Sequence, residues 1–356
     1  MDDAAPRRTP ASALRAALEH RLGWPLVTLA LLLALNAAFN AGFLHVEWRD
    51  GHLYGSLIDI LNRAAPLAVV SLGMTIVIAT RGIDISVGAI VAIAGAVAAW
   101  AIGGSVAGNV TRFPLPFVLL AALCVALLCG VWNGLLVARA GMQPIIATLI
   151  LMVAGRGIAQ LITSGQIITI YYSPYFFFGG GYLLGLPVSI LIVALVFALL
   201  YLAITRTALG LFLQAVGINP TAARVAGVQA RRLTLGAYAF SGLCAGVAGI
   251  LISSNVKSAD GNNAGLLLEL DAILAVTLGG TALTGGRFTL AGSVIGALII
   301  QTLTYLIYSL GVPPEVNLVV KAIVVFAVMM LQSGEFRATV AKFARRPALS
   351  DREVRR

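Results

Sequence analysis

Apolar runs about as long as a membrane is thick recur along this chain, and they restrict it to a small set of folds. A helix crosses a hydrocarbon core of about 30 Å with about 20 predominantly apolar residues, at a rise of about 1.5 Å each. Candidate spans on that criterion fall at 24–44, 62–80, 86–103, 115–138, 143–164, 187–204, 232–252, 268–283, 289–310 and 317–333. Those at 86–103, 268–283 and 317–333 are short or interrupted by glycine, as tilted, broken or re-entrant segments are. The expected class is an all-α integral membrane protein of about ten transmembrane helices. Its parts are an N-terminal tail at 1–22, a transmembrane domain at 23–335 with a polar loop at 205–232, and a C-terminal tail at 336–356. Composition agrees: 11% of the 356 residues are charged, whereas a soluble surface needs about 25%.

The placement of the basic residues orients the spans. Suppose the N-terminus is cytoplasmic and ten spans alternate. Then Arg81, Arg139, Arg206, Arg224, Arg231, Arg232 and Arg287 fall inside together with every basic residue of the two tails. Only Arg49, Arg63, Arg112 and Lys257 fall outside, while Arg156 and Lys321 lie within spans. That asymmetry is the one the positive-inside rule produces, and it predicts an inner-membrane protein with both termini cytoplasmic. The formal charge of +10 therefore describes loops and tails against membrane lipid, not a nucleic-acid groove. The basic stretch before 24–44 resembles a signal peptide, but the apolar run is long for one and reads as a first span. Asn109-Val110-Thr111 matches a glycosylation sequon by chance.

No residues make a catalytic constellation. His20, His45 and His52 lie in a tail and a loop, and Cys124, Cys129 and Cys244 sit in apolar stretches without metal-ligand spacing. No cofactor or metal is expected. The run Gly280-Thr281-Ala282-Leu283-Thr284-Gly285-Gly286-Arg287 lacks the Lys-Ser/Thr pair of a phosphate loop and follows a membrane segment. Any ATP must act on a partner.

Two kinds of residue remain as candidates. In the 205–232 loop, Asn219 is a good N-cap, Pro220 fits the first helical position and Gly227 can close a short helix with positive φ. Gly217, Asn219, Pro220, Ala223, Arg224 and Gly227 therefore frame a rigid two-turn element suited to docking on a partner. The second kind comprises polar groups at or within spans: Asn62, Asp84, Ser86, Asn133, Gln143, Thr148, Arg156, Gln160, Asp271 and Gln301. Such groups either face a wet path or bond between helices. Asp84 and Ser86 can equally cap the helix that follows them, and Leu270-Asp271-Ala272 repeats that pattern. Gly130/Gly134 and Gly292/Gly296 are helix-packing pairs. Asp84 followed by Gly141-Met142-Gln143-Pro144, and Asp271 followed by Gly311-Val312-Pro313-Pro314, form a faint internal repeat.

From Ile60 to Leu331 the chain resembles the sugar permeases of ATP-binding-cassette importers, the ribose/xylose branch. The resemblance rests on Gly82–Gly88, on Gly217–Gly227, and on the stretch from Leu270-Asp271-Ala272-Ile273-Leu274-Ala275 to Gly285-Gly286-Arg287-Phe288. The segments 58–66 and 147–157, with Asn262-Asn263-Ala264-Gly265 and Leu268-Glu269-Leu270-Asp271, are most like galactofuranose permeases. Arg81 and the aromatic run 171–178 depart from the pattern. The resemblance implies a type II importer fold and a monosaccharide substrate, with a furanose such as galactofuranose foremost. It also implies a coupling helix at 217–227, a cytoplasmic double-cassette ATPase, a second permease subunit, homologous or identical, and a periplasmic sugar-binding protein. A branched-chain amino-acid permease of the same machinery is the nearest alternative. An ion-coupled secondary transporter would need a titratable or sodium-coordinating cluster at mid-membrane.

Overall fold

Long leucine-, alanine- and valine-rich runs become helices because, in hydrocarbon, only a helix or a closed barrel satisfies its own backbone. A computed structural model of the chain describes residues 22–49, 51–103 and 111–332. The two tails, apart from Leu22, and most of the Asn109-Val110-Thr111 sequon lie outside the described residues. The described helices are α1 (Gly23–Phe39), α2 (Ser56–Ala79), α3 (Val87–Ile102), α4 (Leu115–Ala138), α5 (Pro144–Ile162), α6 (Ser173–Gly180), α7 (Val188–Arg206), α8 (Leu209–Ile218), α9 (Pro220–Val225), α10 (Ala230–Val256), α11 (Leu268–Leu278), α12 (Leu290–Ser309) and α13 (Pro314–Gln332). Among the described residues, α2, α4, α5, α7, α10 and α12 are long and apolar enough to cross a membrane.

The short segments are shorter than the apolar runs suggest. Helix α3 has 16 residues and α11 has 11, about 24 Å and 16 Å of rise against a core of about 30 Å. Helix α1 stops at Phe39, five residues before the end of its apolar run, and α11 stops at Leu278 where Gly279 and Gly280 follow. Short antiparallel ribbons join some of the helix ends: β1 (Glu47–Arg49) with β2 (His52–Tyr54), β3 (Ile168–Thr169) with β6 (Ser258–Ala259), and β4 (Tyr182–Leu183) with β5 (Leu186–Pro187). The aromatic run 171–178 is no open loop. It enters α6, where Tyr175 is fully buried and shares a 2.7 Å hydrogen bond with Ser253 of α10.

By internal contacts the chain forms two units, Met1–Thr302 and Leu303–Arg356, dividing within α12. In the first unit α10 is the central helix, packed on α2, α3 and α4. It can sit there because glycines let backbones touch. A Cβ on Gly242 would stand 2.5 Å from the Ala126 carbonyl oxygen, and one on Gly134 would stand 3.0 Å from Leu235 Cα. Gly130 faces the Tyr238 carbonyl equally closely. In the same way Gly292 and Gly296 of α12 press on the Gly279 and Ala275 carbonyls of the α11 segment. Both glycine pairs are thus packing devices. In the second unit, α12 ends at Ser309 and Gly311, at φ +73°, turns the chain toward α13.

Gly242→Leu should separate α4 from α10 at a cost of about 3 kcal/mol or more, since backbone cannot yield as a side chain can. Thermal unfolding of the purified protein in detergent measures this. An unchanged midpoint would show that the helices have room to part.

Candidate functional site

Seven residues between α2 and α3 carry two anchors. The first is Asp84, fully buried although it lies outside any helix. Its Oδ1 accepts from the Ser86 backbone N–H (3.1 Å), from Ser86 Oγ (2.7 Å) and from Asn133 Nδ2 (3.4 Å). Its Oδ2 accepts from Ser241 Oγ at 2.9 Å. Asn133 also donates to Ser86 Oγ at 2.7 Å. Next to this knot, the Ile85 N–H donates to Thr148 Oγ1 at 3.2 Å and the Tyr238 hydroxyl donates to the Ile83 carbonyl at 3.3 Å. One carboxylate thereby ties the α2–α3 turn to α4 and α10, and Thr148 ties it to α5. Asp84, Ser86, Asn133 and Thr148 are all inaccessible. The site serves as an internal joint, and Ser86, though it precedes α3, makes no side-chain cap.

The second anchor is Arg81, in the left-handed region at φ +64°. Its Nε donates to the Gly217 carbonyl at 2.5 Å, and Nη2 donates to the Ile218 carbonyl. These are C-terminal carbonyls of α8, which lack helical partners and favour a cation. The Gly286 N–H donates to the Ala79 carbonyl at 3.0 Å. Gly217 lies so close to Ala79 and Gly286 that no Cβ fits.

Directly after α8 stands the helix expected from Asn219, Pro220 and Gly227. Asn219 Oδ1 accepts from the Thr221 and Ala222 N–H groups, both at 3.0 Å. Gly227 closes the helix at φ +85°, with Gly227 N–H to Arg224 O (3.0 Å) and Val228 N–H to Ala223 O (2.9 Å). Only Ala223 of α9 is buried, while Arg224 is exposed and Val225 is 87% exposed. Beside it, Arg224, Gly227, Gln229, Arg231 and Arg232 line an open basic cavity of about 490 Å³. What the expected loop lacked was α8, an apolar ten-residue helix inside it. Gly217 accordingly closes α8 and does not open α9.

The remaining candidates separate. Asn62 and Gln301 line a cavity of about 250 Å³ with Arg63, Ser189, Asn255 and Gly179. There Ser189 Oγ donates to Asn62 Oδ1, and Pro66 supplies no N–H to the Asn62 carbonyl. Arg156 and Gln160 meet the segment after β6: Arg156 Nη1 donates to the Ala264 carbonyl and Gln160 Nε2 to Asn262 Oδ1, both at 2.6 Å. Gln143 immediately precedes α5 and is exposed. Asp271 is half-buried in the first turn of α11, where a carboxylate suits the helix dipole. Sequence reasoning missed Ser241, Tyr238, Ser189 and Asn255. Each looks like an ordinary helix residue until a distant segment meets it.

A family model, the branched-chain amino acid transport system / permease component, matches residues 56–329. The chain belongs to this family. The galactofuranose transporter permease protein YtfT of Escherichia coli is 52% identical to it, over 89% of this chain and 93% of that protein. The fructose import permease protein FruF of Bifidobacterium longum is 38% identical over 93% of both chains. The ribose import permease protein RbsC of Bacillus subtilis is 37% identical over 88% of this chain and 92% of that one. No solved structure matches. Family and apolar helices together make this a multi-pass membrane protein, and the resemblance to sugar permeases read from Gly82–Gly88 and Gly217–Gly227 agrees with these relatives.

Asp84→Ala removes the acceptor of four buried donor groups and should cost about 3 kcal/mol or more. Ser241→Ala should cost about 1–2 kcal/mol. Thermal unfolding in detergent checks both, and a wild-type midpoint for Asp84→Ala would remove the anchor role.

Proposed function

We propose that this chain is the transmembrane permease subunit of an ATP-binding-cassette importer that moves a monosaccharide, a furanose such as galactofuranose foremost, across the inner membrane. The observation that carries the reading is the 52% identity to a galactofuranose permease across nearly the whole of both proteins. The family description mentions branched-chain amino acids. The relatives at 37–52% identity are named for galactofuranose, fructose and ribose, and that favours a sugar over an amino acid. Among the described residues no group of His, Cys, Asp or Glu could hold a metal ion, and the buried Asp84 already has four hydrogen-bond donors. An ion-coupled mechanism finds little to build on here.

In this reading the chain has no ATPase site of its own, and hydrolysis occurs on a cytoplasmic double-cassette partner. The exposed, Asn219-capped helix α9 and the basic cavity beside it are the docking element for that partner. Arg81 passes the motion of α8–α9 to the α2–α3 turn. A second permease, identical or homologous, completes the passage, and a periplasmic sugar-binding protein delivers the solute. Ten passes with both termini cytoplasmic follow from the basic residues of the loops, with α3 and α11 as short segments within the bundle. Selectivity belongs mainly to the delivering protein, so the passage holds its solute weakly.

The test uses the complete importer in proteoliposomes. Arg224→Glu and Gly227→Trp should each reduce ATP-driven sugar uptake at least about tenfold, since the centre of a docking surface carries about 1.4 kcal/mol or more. Insertion into the membrane should be unchanged. Normal uptake by both variants would sink the docking role of α9.

A further inference from the structure

Residues 260–267, between β6 and α11, are not helical, yet they lie within the helical layer. Gly261 packs on the backbone of α5, where an added Cβ would meet Ala159 C and Gln160 N at 3.0 Å. Gly265, at φ +65°, packs on the first turn of α3, where its Cβ would stand 2.8 Å from the Gly88 carbonyl oxygen. From Gly88, α3 runs about 20 Å further to Ile102. Arg156, which reaches Ala264, lies about 18 Å along α5. The segment thus starts beside the last turn of α5, at Gln160, and runs inward to the level of Gly88, inside the depth that apolar helices span.

Irregular backbone at that depth persists only where protein buries it or where it lines water. Here much of it is uncovered. Asn262 and Asn263 are exposed, while Arg156, Gln160 and Asp260 are half-buried. The segment is not loose. Asp260 Oδ1 accepts from the Asn262 and Asn263 N–H groups at 2.8 and 3.2 Å, and Oδ2 accepts from Asn263 Nδ2 at 2.8 Å. Lipid offers these groups no partners. The neighbouring face of α5, with Ile150, Ile158 and Leu161 exposed, is apolar and suits lipid or a subunit, while Leu149 and Val153 precede Arg156 on its own face.

We infer that Arg156, Gln160, Asp260, Asn262 and Asn263 form a water-filled strip of the passage where the sugar makes its contacts. The chemistry fits a neutral polyol. Each sugar hydroxyl both donates and accepts, and the strip offers amide N–H and C=O groups side by side with a guanidinium and a carboxylate. Arg156 lies within electrostatic reach of Asp260 and Glu269, so its positive charge is offset locally. Gln160 and Asn262 already bond to each other and need only exchange that partner for a hydroxyl, which keeps the hold weak. The sugar identity rests on the proposed function; the water-filled strip does not.

The experiment separates the two. Single-cysteine variants are made in the complete importer with Cys124, Cys129 and Cys244 replaced by alanine, and labelled from outside with a charged, membrane-impermeant methanethiosulfonate. Asn262→Cys and Gln160→Cys should react at least about tenfold faster than Leu161→Cys, whose parent side chain is 81% exposed on the apolar face. D-galactose, D-fructose or D-ribose, delivered by the binding protein, should slow that reaction. Asn262→Leu should lower uptake of the same sugar about tenfold, and Leu161→Ala should leave it unchanged. Labelling no faster than at Leu161→Cys would overturn the strip, whatever the importer carries. Fast labelling that none of the three sugars slows, in an importer that moves none of them, would overturn the sugar reading instead.

Discussion

In hydrocarbon no backbone group can rely on water, and the architecture follows from where the chain stops being helical. Each interruption inside the layer needs partners from elsewhere in the protein. Between α2 and α3 they come from Asp84, which collects donors from the turn itself and from α4 and α10, and from Thr148 of α5. At the end of α8 they come from Arg81, whose guanidinium occupies the carbonyls that the helix leaves open. Both residues belong to one seven-residue connection, so a single turn ties the centre of the bundle to the end of α8. The charged groups of this turn let a chain with 60% hydrophobic residues change direction with the Asp84 carboxylate fully hydrogen-bonded, although Asn133 Oδ1 beside it is left without a partner.

The second constraint is proximity. Helices gain little from apolar burial when lipid is as apolar as their neighbours, so packing must come from close backbone contact. Gly130, Gly134 and Gly242 bring α4 and α10 together, and Gly279, Gly292 and Gly296 do the same for α11 and α12. These contacts put Asn133 and Ser241 within reach of Asp84. The hydrogen-bonded joint therefore depends on glycines beside its own residues, Gly134 after Asn133 and Gly242 after Ser241.

Much of this was legible in the amino-acid order, for local reasons. Asn219, Pro220 and Gly227 lie within nine residues of chain, so cap chemistry foretells α9 directly. The long spans follow from hydropathy alone. What was not legible depends on meetings across the chain. Ser241 is 157 residues from Asp84 and looks like any small helix residue. Helix α8 was read as part of the 205–232 loop, and its place appears only where Arg81 meets its last carbonyls. The segment 260–267 reads as an outer loop, because nothing in its composition reports that Gly261 and Gly265 seat it between α5 and α3. Asp84 was open to two readings, cap or solute contact, and neither foretells its enclosure or its bonds to Asn133 and Ser241.

The fit around Gly217 has a mechanical meaning. A joint passes on a short stroke only if it has no backlash. Here α8 meets Ala79 and Gly286 backbone to backbone, with the Arg81 guanidinium bolted across the seam and no side chain between to bend or change rotamer. A push on α9 has no slack to take up before it reaches Ile83 and the foot of α3. In the proposed importer an engine working through such a linkage would be stiff and short in its travel, and a methyl group added at Gly217 would act as a shim that pries the linkage open.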